Sequence, residues 1–221
     1  MAELEPTASA GVYRQGRDLY TMNLDPGRDV YGEVLVAEAA GEYRRWNPKR
    51  SKISAALHSG FAVLPFKEDS TVLYLGASTG TTVSHVSDIC AKGLVFAVEF
   101  SVGPFTKLTG LSKRRGNIIP ILEDANHPER YAQYLSRADV IFQDISQRNQ
   151  VQILLLNARQ FARKDTPLMI AVKSRSIDAA KAPSLVFEKV KSELSASCRI
   201  AKSVDISQYE EDHVMFVAYL L

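Results

Sequence analysis

The sequence has few cysteines and no long apolar run. Its two cysteines, Cys90 and Cys198, lie far apart and without metal-ligand spacing. Neither a disulfide framework nor a metal site is predicted, and a reduced, cytoplasmic environment is expected. No apolar stretch approaches the roughly 20 residues that span a membrane. The first ten residues contain Glu3 and Glu5 without an apolar core, so we expect neither a signal peptide nor a membrane partner.

The chain also carries little net charge. Its 27 Lys and Arg and 25 Asp and Glu residues give a formal net charge of +2. A protein that binds RNA unaided usually has a larger basic excess, because affinity comes from neutralising phosphates. If RNA is the substrate, partners are therefore expected to supply much of the binding.

The patterns that are present indicate an α/β protein. Between about residue 12 and residue 46, short β-favouring stretches such as 18–22 and 30–36 alternate with turn signals, which predicts a small antiparallel sheet. Beyond Pro65, apolar strands alternate with helical patterns, as in a parallel sheet with helices on both faces. Strands are predicted at 71–75, 94–99, 117–122, 139–143, 168–173, 199–205 and 214–221, and helices at 82–91, 105–114, 128–136, 147–163 and 182–195.

The connection between the last two predicted strands sets the direction of the final strand. It has only about eight mostly polar residues, too few for a helical crossover, so the last strand is expected to run antiparallel. Six parallel strands with a reversed seventh are typical of Rossmann-like methyltransferases. We predict a small N-terminal antiparallel β domain at residues 1–46 and a methyltransferase domain at residues 47–221.

The loop at residues 76–82 follows the first strand of the larger domain and opens a helix. Its glycines, Gly76 and Gly80, let the backbone turn tightly, and the helix N-terminus offers free N–H groups to an anion. A third glycine at the dinucleotide spacing is missing, which argues against NAD. The helix start suits a carboxylate such as that of methionine.

Polar residues follow the next three strands. Glu99 ends the second strand, where a carboxylate can accept hydrogen bonds from both hydroxyls of a ribose. Asp124 follows the third strand and can accept from an adenine amino group, or it can cap the next helix, although Asn126 is nearer. Asp144 follows the fourth. Open α/β sheets bind ligands at the carboxyl ends of their strands, so we predict a cofactor site at this edge.

Four residues that are distant in sequence are predicted to meet at the same edge. Asp144 and Lys173 end the fourth and fifth strands, and His213 begins the reversed last strand. Lys52 lies near the start of the helix before the sheet. Each residue taken alone has an ordinary surface explanation, but the shared edge favours a catalytic group.

These side chains suit the activation of a weak nucleophile such as a ribose 2′-hydroxyl. Two neighbouring lysines lower each other's pKa by repulsion, and desolvation lowers it further, so a lysine can take or steer the proton. A carboxylate beside the lysine would position it but favour its protonated form. Which group handles the proton therefore stays open.

Basic clusters flank this predicted site. Arg44-Arg45 and the run at 49–52, with Tyr43 and Trp46 interleaved, can hold phosphates. The run at 113–115 is predicted to be a solvated surface.

Several segments resemble the motifs of the fibrillarin family, in the family's order and over roughly residues 12–221. The matching segments are 41–52, 76–82, 97–101, 117–121, 124–125, 142–147, 173–178 and 212–213. The sequence has no long Gly/Arg-rich stretch at its N-terminus, so it resembles the archaeal fibrillarin-like branch. The resemblance implies an enzyme of rRNA and tRNA processing that methylates ribose 2′-hydroxyls with S-adenosyl-L-methionine.

The resemblance also implies which residues act. It places a catalytic tetrad on Lys52, Asp144, Lys173 and His213 and requires no metal. Together with the glycine loop, the predicted cofactor-binding residues are Gly76, Ala77, Gly80, Thr81, Thr82, Glu99, Phe100, Asp124, Ala125, Asp144, Ile145, Ser146 and Gln147. The implied partners are a box C/D guide RNA, the target rRNA or tRNA, a Nop-type scaffold protein and a kink-turn-binding ribosomal-type protein. The low net charge agrees with this division of labour.

Three other functions remain open from the sequence. A methyltransferase for a protein side chain such as glutamine could use the same cofactor site. A non-catalytic subunit of a ribonucleoprotein could retain the fold, although Asp144, Lys173 and the glycine loop argue against this. An NAD oxidoreductase is disfavoured by the missing third glycine.

Overall fold

The computed structural model describes residues 4–221, and its N-terminal part is a small antiparallel sheet. Five strands form it: β1 (Glu5–Pro6), β2 (Val12–Gln15), β3 (Asp18–Met22), β4 (Leu35–Glu38) and β5 (Gly41–Arg45). Their order is β1-β2-β3-β5-β4, with every neighbouring pair antiparallel. The predicted small sheet is confirmed, whereas the domain boundary at residue 46 stays a prediction.

The rest of the chain forms a seven-stranded sheet with helices. Its elements are α1 (Lys52–His58), β6 (Thr71–Leu75), α2 (Thr81–Ile89), β7 (Leu94–Glu99), α3 (Val102–Ser112), β8 (Ile118–Leu122), β9 (Val140–Gln143), α4 (Gln150–Phe161), β10 (Leu168–Lys173), α5 (Ser174–Ile177), α6 (Pro183–Ser195), β11 (Cys198–Asp205) and β12 (His213–Leu220). The order is β11-β12-β10-β9-β6-β7-β8, and β12 alone in this sheet runs antiparallel to its neighbours. The predicted fold class is confirmed. Within residues 4–221 no helix has the length and apolarity to cross a membrane.

Apolar side chains cover both faces of this sheet. On one face, Phe142 of β9 packs in the same core as Ile53 of α1 and Val83 of α2. On the other face, Ile141 packs with Leu154 of α4. Side chains alternate between the two faces along a strand. The face on which a polar residue at a strand end lies therefore follows from the apolar residue two positions before or after it.

Two predicted elements are wrong in detail. The helix at 128–136 is only one 3₁₀ turn, Pro128–Arg130. The chain then continues irregularly because buried Tyr131 is held by a hydrogen bond from its hydroxyl to Asn157 of α4. The predicted strand at 30–36 starts only at Leu35, because the Glu33 carboxylate accepts the backbone N–H groups of Val30 and Tyr31.

A buried ionic cluster joins the small sheet to α2. This junction cluster consists of Glu33, Arg44, Asp88 and Arg115. Arg44 donates to Glu33 Oε1 at 2.7 Å and to Asp88 Oδ2 at 2.8 Å. Arg44 and Arg115 are almost fully buried, so the predicted phosphate contact at Arg44 and the predicted solvated position of Arg115 are both wrong.

Candidate active site

The first part of the site is an ion pair between α1 and the loop after β9. Lys52 is the first residue of α1, whose N-terminus is capped by the Ser51 side chain. Its Nζ lies 2.9 Å from Asp144 Oδ2. The Asp144 N–H donates to the Leu75 carbonyl, which continues the pairing of β9 with β6. Asp144 therefore follows Phe142 onto the α1 face of the sheet.

The second part of the site is a cross-strand pair. Lys173 of β10 lies directly opposite His213 of β12 in the antiparallel register. Ala171 and Met215 belong to the α1-side core, so Lys173 and His213, two residues away along each strand, lie on that same face. The structure thus brings the four predicted catalytic residues to one edge and one face.

Electrostatics distinguish the members of this group. Burial lowers the pKa of Lys52, but the charge and hydrogen bond of Asp144 outweigh it, and the net pKa is raised. Of the two opposing effects expected for a lysine in this group, the carboxylate therefore prevails at Lys52. Burial is the main cause that lowers the pKa of His213; the hydrogen bond with the Glu211 carbonyl opposes it, the Lys52 cation lowers the pKa further, and Asp144 and Glu210 raise it, so that the net pKa is lowered.

A constrained turn fixes the His213 ring. Its Nδ1 lies 2.7 Å from the Glu211 carbonyl oxygen, which can only accept, so Nδ1 carries the proton and Nε2 holds a lone pair in the neutral ring. The preceding residue, Asp212, has a positive φ of 59°. Its carbonyl accepts the Ser174 N–H, and its carboxylate accepts from Arg175 Nε at 2.7 Å, which ties the turn to the segment after Lys173.

A cavity of about 290 Å³ lies along the same sheet edge. Its lining includes nine of the predicted cofactor-binding residues, namely Gly76, Glu99, Phe100, Asp124, Ala125, Asp144, Ile145, Ser146 and Gln147. The sequence analysis missed four further lining residues, Ser78, Val98, Ser101 and Glu123. The volume is close to the lower limit of typical ligand sites.

The backbone holds Glu99 at the wall of this cavity. One carboxylate oxygen accepts the Ser78 N–H and the other accepts the Ser101 N–H, each at 2.7 Å. Each oxygen keeps a second lone pair, so Glu99 can still accept from the hydroxyls of a ribose. No residue-type pattern pointed to Ser78 or Ser101, because they act through their backbone.

Asn126 connects two segments that line the cavity, 123–125 and 144–147. Asp124 Oδ1 accepts both the backbone N–H and the side-chain amide of Asn126, at 2.9 and 2.8 Å. Burial raises the pKa of Asp124, but these hydrogen bonds outweigh it and the net pKa is lowered, so the carboxylate is charged. The Asn126 amide also reaches Gln147 Oε1 at 3.1 Å, which links two walls of the cavity.

In the loop at residues 76–82, Gly76 lines the cavity and Gly80 does not. At both positions a neighbouring residue lies too close to leave room for a Cβ atom. A Cβ on Gly76 would lie 2.2 Å from the Asp144 carbonyl oxygen, and φ at Gly76 is +83°. Gly80 also has a positive φ and would place a Cβ 2.6 Å from Leu111. Ala77, Gly80, Thr81 and Thr82 do not line the cavity; Thr82 instead donates to Ser51 Oγ at 3.1 Å.

Tyr74 is a further polar residue of this region that the sequence analysis missed. It lies in β6 and is buried. Burial raises the pKa of its phenol well above the usual value, and the Asp144 carboxylate adds to this effect, so the hydroxyl keeps its proton. Because Tyr74 lies in an apolar strand, the sequence gave no indication that its hydroxyl is close enough to Asp144 to be influenced by that carboxylate.

The polar groups along this edge are of the kind that bind an organic ligand. Among residues 4–221, no group of three or more His, Cys, Asp or Glu side chains is arranged to hold a metal ion. Carboxylates at Glu99 and Asp124 and the close-approach glycine at Gly76 match an adenosine-type ligand with hydroxyl and amino donors.

Comparison with known proteins extends over nearly the whole chain. A family model described as Fibrillarin matches residues 5–220. A fibrillarin-like rRNA/tRNA 2′-O-methyltransferase of Methanocaldococcus jannaschii is 46% identical over 198 residues, 89% of this chain and 86% of that protein.

Two solved structures are also similar. The structure of Aeropyrum pernix fibrillarin in complex with natively bound S-adenosyl-L-methionine superposes with a TM-score of 0.87 at 36% identity, covering 99% of this chain and 100% of that one. A chain of a fibrillarin/Nop5p complex superposes with a TM-score of 0.89 at 38% identity, covering 98% and 100%.

Proposed function

Because the chain belongs to the fibrillarin family, whose model matches residues 5–220, we propose that it methylates ribose 2′-hydroxyls of ribosomal and transfer RNA, with S-adenosylmethionine as the methyl donor. The observation that carries this proposal is the meeting of Lys52, Asp144, Lys173 and His213 beside the cavity. Two lysines that can donate hydrogen bonds, a carboxylate and a histidine that can accept a proton thus lie next to a ligand site.

The cavity walls hold the cofactor. Glu99 accepts from the ribose hydroxyls of the cofactor, and Asp124 accepts from its adenine amino group. Gly76 keeps the space beside Asp144 free of a side chain. When bound, the cofactor supplies a methyl group that its sulfonium makes electrophilic.

The tetrad handles the proton of the 2′-hydroxyl. Lys52 is cationic, since its pKa is raised, and it orients Asp144 rather than acting as the base. Neutral His213 has a lone pair on Nε2 and accepts the proton, while Lys173 donates to the substrate. Because burial lowers the His213 pKa, we expect the rate of methyl transfer to rise with pH through an apparent pKa below 6.5 and then to level off. A pH–rate profile of single turnovers measures this, and a rate that does not fall on acidification would contradict the assignment to His213.

RNA binding is shared with partners. A net charge of +2 provides little grip on phosphates, which supports recruitment by a guide-RNA particle. A fibrillarin/Nop5p complex is known for a similar chain, and a Nop-type scaffold protein is accordingly a partner of this one. We extend the proposal to a box C/D guide RNA and a kink-turn-binding ribosomal-type protein as further members, and to a cytoplasmic location.

The decisive experiment measures methyl transfer to guide-paired RNA in the reconstituted particle. The target strand is compared with an otherwise identical strand that carries a 2′-deoxy nucleotide at the target position. Labelling is expected only for the ribose target. Equal labelling of both strands, or labelling of protein alone, would contradict ribose methylation and favour the protein methyltransferase alternative.

A further inference from the structure

Two glutamines lie behind the proposed site, on the opposite face of the sheet. Gln143 is the last residue of β9, and Gln150 is the first residue of α4. Both side chains are fully buried. Since Ile141 faces α4, Gln143 also faces α4, whereas its neighbour Asp144 faces α1.

The Gln143 side chain closes a loop. Its Nε2 donates to the backbone carbonyl of Gln150 at 2.7 Å, which joins the two ends of the 144–149 loop. That loop supplies the cavity lining from Asp144 to Gln147. The hydrogen bond therefore restricts the segment that carries both the cofactor wall and a member of the tetrad.

The Gln150 side chain extends this connection to the next strand. Its Nε2 lies 3.4 Å from the backbone carbonyl of Lys173. The two amides thus link the ends of β9 and β10, which carry Asp144 and Lys173.

This arrangement is not the most stable one for a buried region. Within residues 4–221, Oε1 of Gln143, Oε1 of Gln150 and Oγ of the neighbouring Ser174 are buried and have no hydrogen-bond partner. An unsatisfied buried polar atom typically costs about 1–3 kcal/mol, and apolar groups of the same shape can be neutral or stabilising. Polar side chains at such positions point to a role other than stability.

We propose that Gln143 and Gln150 are positioning residues. Gln143 holds the 144–149 loop in the shape that binds the cofactor, and Gln150 holds Lys173 in place relative to Asp144. The second role rests on the proposed function, because it concerns the tetrad; the first concerns cofactor affinity alone.

Two substitutions separate these roles. Gln143→Met keeps the side-chain volume but opens the loop, so affinity for S-adenosylmethionine, measured by calorimetry without RNA, is expected to fall about tenfold or more, as misplaced ligand-holding groups do. Gln150→Met leaves its backbone carbonyl in place for Gln143, so cofactor affinity is expected to stay at the wild-type value while kcat for RNA falls. In both variants the free energy of unfolding in urea is expected to change little, because each substitution removes an unpaired Oε1 but also takes a side-chain donor away from a backbone carbonyl.

Gln152→Met is the matched control, since Gln152 lies exposed in the same helix and its amide donates to the surface residue Glu193, at 3.4 Å. It should change neither quantity. Wild-type cofactor affinity in Gln143→Met would overturn the loop-closing role. A loss of affinity that merely follows a loss of unfolding free energy would also overturn it, in favour of a structural role. Wild-type kcat in Gln150→Met would overturn the second role. Because calorimetry uses no RNA, a failure of RNA methylation and a failure of loop closure are distinguishable.

Discussion

The junction cluster and the edge at which Lys52, Asp144, Lys173 and His213 lie both contain ion pairs, but the pairs differ in burial and in the number of hydrogen bonds. At the junction, Arg44 is fully buried, and each of its three guanidinium nitrogens has a partner. At the edge, the Lys52 and Asp144 side chains remain 20% and 22% exposed and share one hydrogen bond. At the junction the charges are fully paired and hold the small sheet against α2, whereas at the edge Lys52 and Asp144 keep hydrogen-bonding capacity for a ligand.

This difference predicts where substitutions will act. Removing one partner of a buried ion pair leaves an uncompensated charge, which destabilises the fold. Removing one partner of an ion pair that is partly exposed leaves a charge that water can solvate, so the free energy of unfolding changes little. Junction variants should therefore lose stability, and edge variants should lose activity.

The largest expected effect is at the edge. Asp144→Ala and Lys173→Ala should each lower methyl transfer by about 10²-fold or more, the loss expected when the groups that position the substrate hydroxyl are removed, with no loss of helical circular dichroism. Single-turnover assays on guide-paired RNA measure it. Exposed Lys181→Ala is the control, and full activity in either tetrad variant would remove that residue from the site.

At the junction, Arg44→Met should lower the free energy of unfolding by about 3–5 kcal/mol, because Glu33 is left buried without its cation and Asp88 keeps only Arg115. Urea unfolding measures this loss. Its neighbour in sequence provides a sharp control: Arg45 pairs with Asp18 at the surface, so Arg45→Met should cost at most about 1 kcal/mol. Equal losses in the two variants would contradict the larger contribution assigned to the buried ion pairs of the junction than to an exposed ion pair.

Gly76→Ala tests the edge without changing charge. The new Cβ would meet the Asp144 carbonyl at 2.2 Å, and the forced backbone adjustment should weaken S-adenosylmethionine binding by about 1–3 kcal/mol. Calorimetry gives the affinity. Gly103→Ala serves as the control because nothing lies within 4 Å of its added Cβ; the same loss there would mean that the backbone at Gly76 is not special.

The smallest expected effect is the pH dependence of stability. Burial lowers the pKa of His85 at the junction well below 6.5, and the Arg44 and Arg115 cations lower it further. Below pH 6.5 the unfolded chain therefore binds a proton that the folded protein does not, so the free energy of unfolding falls as pH falls. Between pH 7.5 and 5.5 a histidine of this kind accounts for about 1.4 kcal/mol.

Urea titrations at the two pH values measure this slope. His213, whose pKa is also lowered, adds to it, so His213→Asn should reduce the slope without abolishing it. Constant stability across this range would show that His85 accepts a proton in the folded state.

The fold and the convergence of Lys52, Asp144, Lys173 and His213 at one edge were predictable because they follow from rules that act along the chain. Asp144, Lys173 and His213 each lie at a strand end, and the short link before His213 sets the direction of β12. Alternating apolar strands and helices are sufficient to place such ends on one edge. The wrong helix at 128–136 shows the limit of periodicity, since a single tertiary hydrogen bond from Tyr131 to Asn157 accompanies a different backbone path.

The burial of Arg44 and Arg115 could not be predicted from the sequence. Arginines are rarely fully buried, and both lie in basic runs typical of a surface; their partner Asp88 is distant in the chain. Ser78 and Ser101 contribute only backbone N–H groups, which every residue possesses. Gln143 lies within the matching segment 142–147, but its orientation toward α4 depends on tertiary packing that no local pattern reports.

The reversed strand has a consequence for the timing of synthesis. β12 lies inside the sheet between β10 and β11, yet it is the last strand of the described chain to leave the ribosome. A nascent chain that stops before it has no His213, and its β10 presents an unpaired apolar edge of the kind that promotes aggregation. An interrupted translation product would thus lack both the partner of β10 and the proposed proton acceptor, so one strand completes the sheet and the proposed site at the same moment of synthesis.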